Sequence, residues 1–261
     1  MKTILLALSL LAFAGCTQKQ ENRVCTPEEM RMGRAYVVGE AWEASDPVLF
    51  GAVAAGDLAL ARRQIAEGAD PSGRSKYASH LEFAIWREDL EMVRLLIASG
   101  AAIGQKEFAS AVSSHDTELA RVVLDALKEE SAAPIPDISM QIAVAAYGDD
   151  VPMIALLREY GLLNLSACEN NALYAASLNE AHKAMEYLLD SGAPANGPAE
   201  CDSESPLMAA AYNGDRKGVD LLLRHGADPA QVHDGWTAAE SAAAAGHYEL
   251  ADYLRALAEK K

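Results

Sequence analysis

Aromatic residues are scarce in this chain, at 6% of 261 residues, although 51% of the sequence is hydrophobic. The apolar content is therefore largely Ala and Leu, which favour helix and let helices pack closely, so the expected fold class is all-α. Positive charge is also in short supply: 22 Lys and Arg stand against 38 Asp and Glu, a formal charge of −16. A field of that sign repels phosphates and anionic lipid headgroups, which argues against nucleic acid as a partner. It speeds encounter with a basic protein surface and favours solubility. Long apolar runs are missing too. The stretch Ile4–Ala14, broken only by Ser9, is too short to span a bilayer comfortably, and no later segment is a candidate span. The six histidines (His80, His115, His182, His225, His233 and His247) show no metal-ligand spacing. Nor is there a nucleophile elbow, a phosphate-binding glycine loop or a dinucleotide fingerprint. These absences argue against an enzyme, a metal site and a cofactor.

What is present begins with Met1-Lys2-Thr3, the short apolar run, and then Gly15-Cys16. A charged start, an apolar middle and a small-residue end form a secretory signal, so export is expected. The stretch Phe13-Ala14-Gly15-Cys16 resembles the lipobox of bacterial lipoproteins, with Phe13 where Leu is usual. That resemblance implies removal of residues 1–15 and diacylglycerol on the Cys16 sulfur. The alternatives are an ordinary signal peptide that ends near a Cys, or a buried N-terminal helix. Acyl chains on Cys16 would supply the several anchoring signals that stable membrane attachment needs. Thr17 follows the cysteine, and lipoproteins without Asp there usually go to the outer membrane. The expected location is thus the periplasmic face of a bacterial membrane, the outer rather than the inner. Loss of Lys2 with the leader makes the mature chain one unit more acidic. Residues 16–25 read as a short polar tether. Thr26-Pro27-Glu28-Glu29 is a capping box that assigns 26–45 to an N-terminal capping helix, leaving 46–261 as the main domain.

That domain repeats. Its clearest copy runs Ser205-Pro206-Leu207-Met208-Ala209-Ala210-Ala211-Tyr212-Asn213-Gly214, then Val219 through Leu221-Leu222-Leu223 to Gly226-Ala227-Asp228-Pro229. Ser before Pro opens a first helix, Ala-Ala allows close approach, and a middle Gly suits a tight turn. The Leu residues fill a core, and the last Gly ends the second helix in a left-handed cap. This pattern resembles the ankyrin repeat, of period ~33 residues. Helix-ending glycines recur at Gly68, Gly100, Gly161, Gly192 and Gly226, with Lys128 where another is due. The expected repeats are 46–72, 78–103, 106–130, 139–164, 171–196, 205–230 and 236–260. The resemblance implies a solenoid of about seven helix-turn-helix repeats, in which capping units keep the ends soluble. Ser131-Ala132-Ala133-Pro134-Ile135-Pro136 marks one irregular joint, because its prolines forbid a helix.

In ankyrin-like stacks the partner usually lies along the concave face, on loop tips and on the two variable residues before the middle Gly. On this sequence those pairs are Trp86-Arg87, Ser113-Ser114, Tyr147-Gly148, Leu178-Asn179 and Tyr212-Asn213. The protein-binding candidates are Trp86, Arg87, Tyr147, Leu178, Asn179, Tyr212 and Asn213, since Trp, Tyr and Arg are enriched among binding hot spots. The same aromatics could instead tuck between repeats as core. Loop-tip candidates are Lys76, Asp202, Glu204, Asp234 and Trp236, the last of which could pack in the C-terminal cap. Cys168 and Cys201 stand one period apart in successive loops and form a candidate disulfide in an oxidising compartment, leaving Cys25 as a free thiol. Stacked ankyrin loops usually sit too far apart for such a bridge.

The function expected is that of a monomeric, membrane-tethered periplasmic protein that binds one or more proteins, with a basic surface as the favoured partner. Its sharpest form is an immunity-type inhibitor of a secreted toxin. The alternative is accessory support of a periplasmic enzyme, such as a catalase in oxidative-stress protection, or of envelope integrity.

Overall fold

A computed structural model describes residues 46–75, 77–129, 139–165, 171–198 and 204–260. The leader, Cys16, the tether, the 26–45 helix, Cys25, Lys76, the 131–136 joint, Cys168, Cys201 and Asp202 lie outside the described residues. Among the residues described there are fourteen helices and no strand. The chain divides into two compact units, Met1–Ala133 and Pro134–Lys261, with the boundary inside the proline-containing segment. In the first unit, α1 (Pro47–Ala55) pairs with α2 (Leu58–Ala66), α3 (His80–Trp86) with α4 (Leu90–Ala98), and α5 (Gln105–Ser113) with α6 (Thr117–Glu129). In the second, α7 (Ser139–Tyr147) pairs with α8 (Val151–Glu159), α9 (Ala172–Leu178) with α10 (His182–Asp190), α11 (Pro206–Tyr212) with α12 (Arg216–Arg224), and α13 (Ala238–Ala244) with α14 (Tyr248–Ala258).

At ten of the fourteen described helices the side chain of the cap residue accepts from an orphan amide. First helices are opened by Asp46, Ser79, Asn171, Ser205 and Thr237, whose oxygens accept from the amide three residues on. Second helices open on Asp57, Asp89, Asp116, Asp150 and Asp215 in the same way. Gly104 before α5 and His247 before α14 make no side-chain cap bond, and neither does Ala181 at the cap of α10. For α10 a neighbour makes up the loss: Asp149, in the turn of the preceding repeat, accepts from the Ala184 amide at 2.8 Å. One repeat therefore caps a helix of the next.

The turn between paired helices puts one residue in the left-handed region every time: Gly56, Glu88, His115, Asp149, Glu180, Gly214 and Gly246. The sequence pattern predicts Gly at this place, yet four of the seven are not Gly. Those four hold a conformation that costs an L-residue about 1–2 kcal/mol. At Gly214 glycine is needed twice over, since a Cβ there would run into the His247 ring of the next repeat. Where the helix-ending Gly is missing, near Lys128, α6 runs on for 13 residues.

Within each unit, first helices pack on first helices and second on second. Small residues make this contact: Ala145, Ala146, Ala176, Ala209, Ala210, Ala211, Ala239 and Ala242 are all buried. Leu and Met side chains such as Leu96, Met153, Leu157, Met185 and Leu222 are fully enclosed between the layers. Burying each stabilises by about 1.5–3 kcal/mol before entropy is counted. Polar side chains rivet neighbouring repeats: Ser79 Oγ donates to Glu107 at 2.6 Å, Arg158 to Ser191 at 2.8 Å and the Tyr253 hydroxyl to Asp220 at 3.2 Å. His182 Nε2 lies 2.8 Å from Asp215, and His225 Nε2 3.9 Å from Asp190.

A buried carboxyl opposes this order. Glu82 is 6% exposed and its Oε2 has no partner among the described residues. Burial, reinforced by the charge of Glu107, holds its carboxyl above the usual carboxylate range. A raised carboxyl pKa means that the folded chain binds this proton more tightly than the unfolded one. Stability from that proton is present below the unfolded value, roughly 4.3, and is lost as pH rises through the folded value. Glu82→Gln is therefore expected to raise the urea midpoint at pH 7, with the gain shrinking toward pH 4; a gain that does not change with pH contradicts the assignment. At the turns, Glu180→Gly is expected to stabilise by up to about 1 kcal/mol and Gly246→Ala to destabilise by about 1–2 kcal/mol. Denaturation shifts of the same sign for both would show that the turn geometry is not the cause.

Candidate protein-binding surface

The ends of the first helices build the surface. Each first helix spends its small residues on its neighbours, and its last residue projects beyond the packed layer. Trp86 is 53% exposed in the first unit; Tyr147, Leu178 and Tyr212 are 46%, 41% and 59% exposed in the second. These four occupy the same register position in their repeats, the final residue of α3, α7, α9 and α11. The residue after each is used differently. Asn213 donates its amide to the Leu178 carbonyl at 2.9 Å, and Asn179 does the same to the Tyr147 carbonyl at 2.9 Å. Helix C-termini leave carbonyls without intrahelical partners, and these asparagines satisfy them from the next repeat. Asn179 and Asn213 thus hold the exposed side chains of the preceding repeat in place.

In the first unit Trp86 donates its indole N–H to Ser110 Oγ at 3.2 Å and stacks toward Phe83, whose ring lies 5.1 Å from Phe50. Arg87 is exposed, and its guanidinium runs past the Gly56 turn of the preceding repeat. Ser114 bonds back to the Ala111 carbonyl.

A groove of about 330 Å³ opens in the second unit, lined by Glu204, Met208, Tyr212, His233, Asp234 and Trp236. Its outer wall is a two-residue hairpin. His233 and Trp236 exchange backbone hydrogen bonds at 2.8 Å, with Asp234 and Gly235 both at positive φ. An Asp-Gly pair is suited to this turn because both central residues must be left-handed. The hairpin presents Trp236, 49% exposed, opposite α11. Sequence reasoning named Glu204, Asp234, Trp236 and Tyr212 but missed His233 and Met208, and it did not see that these six share one groove. The Asp-Gly dipeptide between His233 and Trp236 was the available signal.

The histidines hold structural positions rather than a shared site. His80 is fully buried, 5.9 Å from the Phe50 ring, and burial holds its imidazole below the usual range. Among the described residues no three His, Cys, Asp or Glu side chains are grouped to hold a metal. No helix of the described residues is long and apolar enough to cross a membrane.

Residues 140–233 and 194–261 match the family Ankyrin repeats (3 copies). The crystal structure of the human ASB11 ankyrin repeat domain is similar, with a TM-score of 0.66 at 20% identity, covering 79% of this chain and 96% of that one. The fold is that of ankyrin repeats. The family match falls in the second unit, and in the first the same helix pairs recur, over repeats whose turns lack glycine at Glu88 and His115. No curated protein matches the chain in sequence. Ankyrin repeats are protein–protein interaction modules and generally non-enzymatic scaffolds, which fits a surface of exposed side chains on a riveted frame.

Two neighbouring residues separate frame from surface. Asn213→Ala is expected to lower stability by about 1 kcal/mol by removing an inter-repeat hydrogen bond, and Tyr212→Ala to change it by less than about 0.5 kcal/mol. Chemical denaturation of both variants checks this; a loss above about 2 kcal/mol for Tyr212→Ala would mean that the ring is core.

Proposed function

We propose that this chain is an exported ankyrin-repeat protein, held at the periplasmic face of a bacterial membrane by lipid on Cys16, which binds one protein partner through its first-helix ends and loop tips. In its sharpest form it is an immunity-type inhibitor that blocks a basic or membrane-attacking toxin. The observation that carries the binding role is the recurrence of large exposed side chains at one register position: Trp86 in the first unit, and Tyr147, Leu178 and Tyr212 in the second. Exposed large side chains at equivalent places have no packing reason to recur, and they are the residue types that anchor interfaces. The lipobox-like residues Phe13-Ala14-Gly15-Cys16 support the tether, and the formal charge of −16 supports a basic partner.

A crosslinked pull-down from the native cell, read by mass spectrometry, tests this with wild type against Trp86→Ala plus Tyr212→Ala. One dominant protein is expected, recovered at least about tenfold less with the double variant. Equal recovery by both, or nothing above background, removes the binding surface as described. In the same cells Cys16→Ala is expected to move the protein from the membrane to the soluble fraction; retention in the membrane would remove the lipid anchor.

A further inference from the structure

The groove beside Trp236, within the second unit, carries a chemistry that the exposed first-helix ends lack by themselves. Tyr212 and Trp236 bring two aromatic rings to it, and Met208 supplies an apolar wall. Glu204 is held by the Tyr174 hydroxyl, which donates to Oε2 at 2.9 Å. Burial and that carboxylate push the Tyr174 pKa up to about 12, so the phenol remains a donor at neutral pH. Oε1 of Glu204 is left as an acceptor. Asp234, at the hairpin tip, is exposed and makes no side-chain hydrogen bond or ion pair among the described residues. No Lys or Arg lines the groove.

We propose that this groove takes an arginine side chain of the bound protein; this rests on the protein-binding function above and gives it a chemistry. A guanidinium stacks on the Trp236 and Tyr212 rings, lays its methylene stem along Met208, and donates to Glu204 and Asp234. The balance of groups selects that occupant. An apolar side chain would cover the Glu204 carboxylate without replacing its lost water, which is costly. A carboxylate would meet two like charges. Lysine would satisfy the charge, but its compact ammonium cannot stack flat on a ring while donating in several directions. The chain's overall negative field draws such a partner in.

The test uses the full chain and the peptide acetyl-Gly-Leu-Arg-Leu-Gly-amide, compared with versions carrying citrulline or Lys in place of Arg. Citrulline keeps the shape of arginine and removes its charge. Binding is read by calorimetry and by the indole N–H resonance of Trp236, assigned through its loss in Trp236→Phe. Arginine is expected to bind about tenfold tighter than citrulline and several-fold tighter than Lys, and to shift the Trp236 resonance. Glu204→Gln plus Asp234→Asn should bring the arginine peptide down to the citrulline level. Equal binding of Arg and citrulline, a Lys peptide that binds as tightly as Arg, or no shift at Trp236 overturns the proposal. Because the peptide series is measured on the unmutated protein, poor folding of a variant does not blur the outcome. The pull-down separates the two levels: a partner still captured through Trp86 and Tyr212 while Arg and citrulline peptides bind alike leaves protein binding standing and removes only the arginine site.

Discussion

A pair of short helices joined by a tight turn has no interior. Each pair here has an apolar side made of Ala, Leu and Met, and that side leaves water only when another pair lies against it. Most of the molecule's construction follows from this constraint. The small residues of the first helices, Ala209 to Ala211 among them, allow close contact along one row, and residues such as Met185 and Leu222 fill the space between rows. Because contacts run to the nearest neighbours, the stability of any repeat is shared with the repeats beside it.

The polar groups follow the same rule. Hydrogen bonds from Asn179 to Tyr147, Asn213 to Leu178, Ala184 to Asp149 and Tyr253 to Asp220 each join one repeat to the next. The first three satisfy helix ends that would otherwise lack partners, and all four tie one repeat to the next. Once the frame is tied in this way, the last residues of α7, α9 and α11 stay exposed, while Trp86 of α3 is exposed and also bonds Ser110. Large side chains at that place are then free to meet a partner, and rigidity beneath them reduces the ordering cost of binding.

Much of this was legible in the sequence. Helix-ending glycines such as Gly100, Gly192 and Gly226 marked the repeats, and all three adopt positive φ. The unit over 105–129 was legible despite its missing glycine, because its apolar spacing survived. The mid-repeat turns were less so: Glu88, His115, Asp149 and Glu180 adopt the conformation that the pattern reserves for Gly, since stacking fixes the turn whatever residue occupies it. Asn179 and Asn213 looked like variable surface residues, and only the placement of the neighbouring repeat reveals their bonds. The groove was invisible for a related reason. Tyr212 and Trp236 belong to different repeats, and what brings them together is the hairpin at Asp234-Gly235, whose direction no spacing encodes.

Dependence of each repeat on its neighbours is the central claim, and amide hydrogen exchange tests it most directly. Leu207 is 1% exposed in α11, between α9 and α13. The variant Leu207→Ala should lose about 2–5 kcal/mol locally. If neighbours share stability, amides in α9 and α13 lose protection together with those in α11. Faster exchange confined to residues 206–224, with α9 and α13 unchanged, would contradict the account.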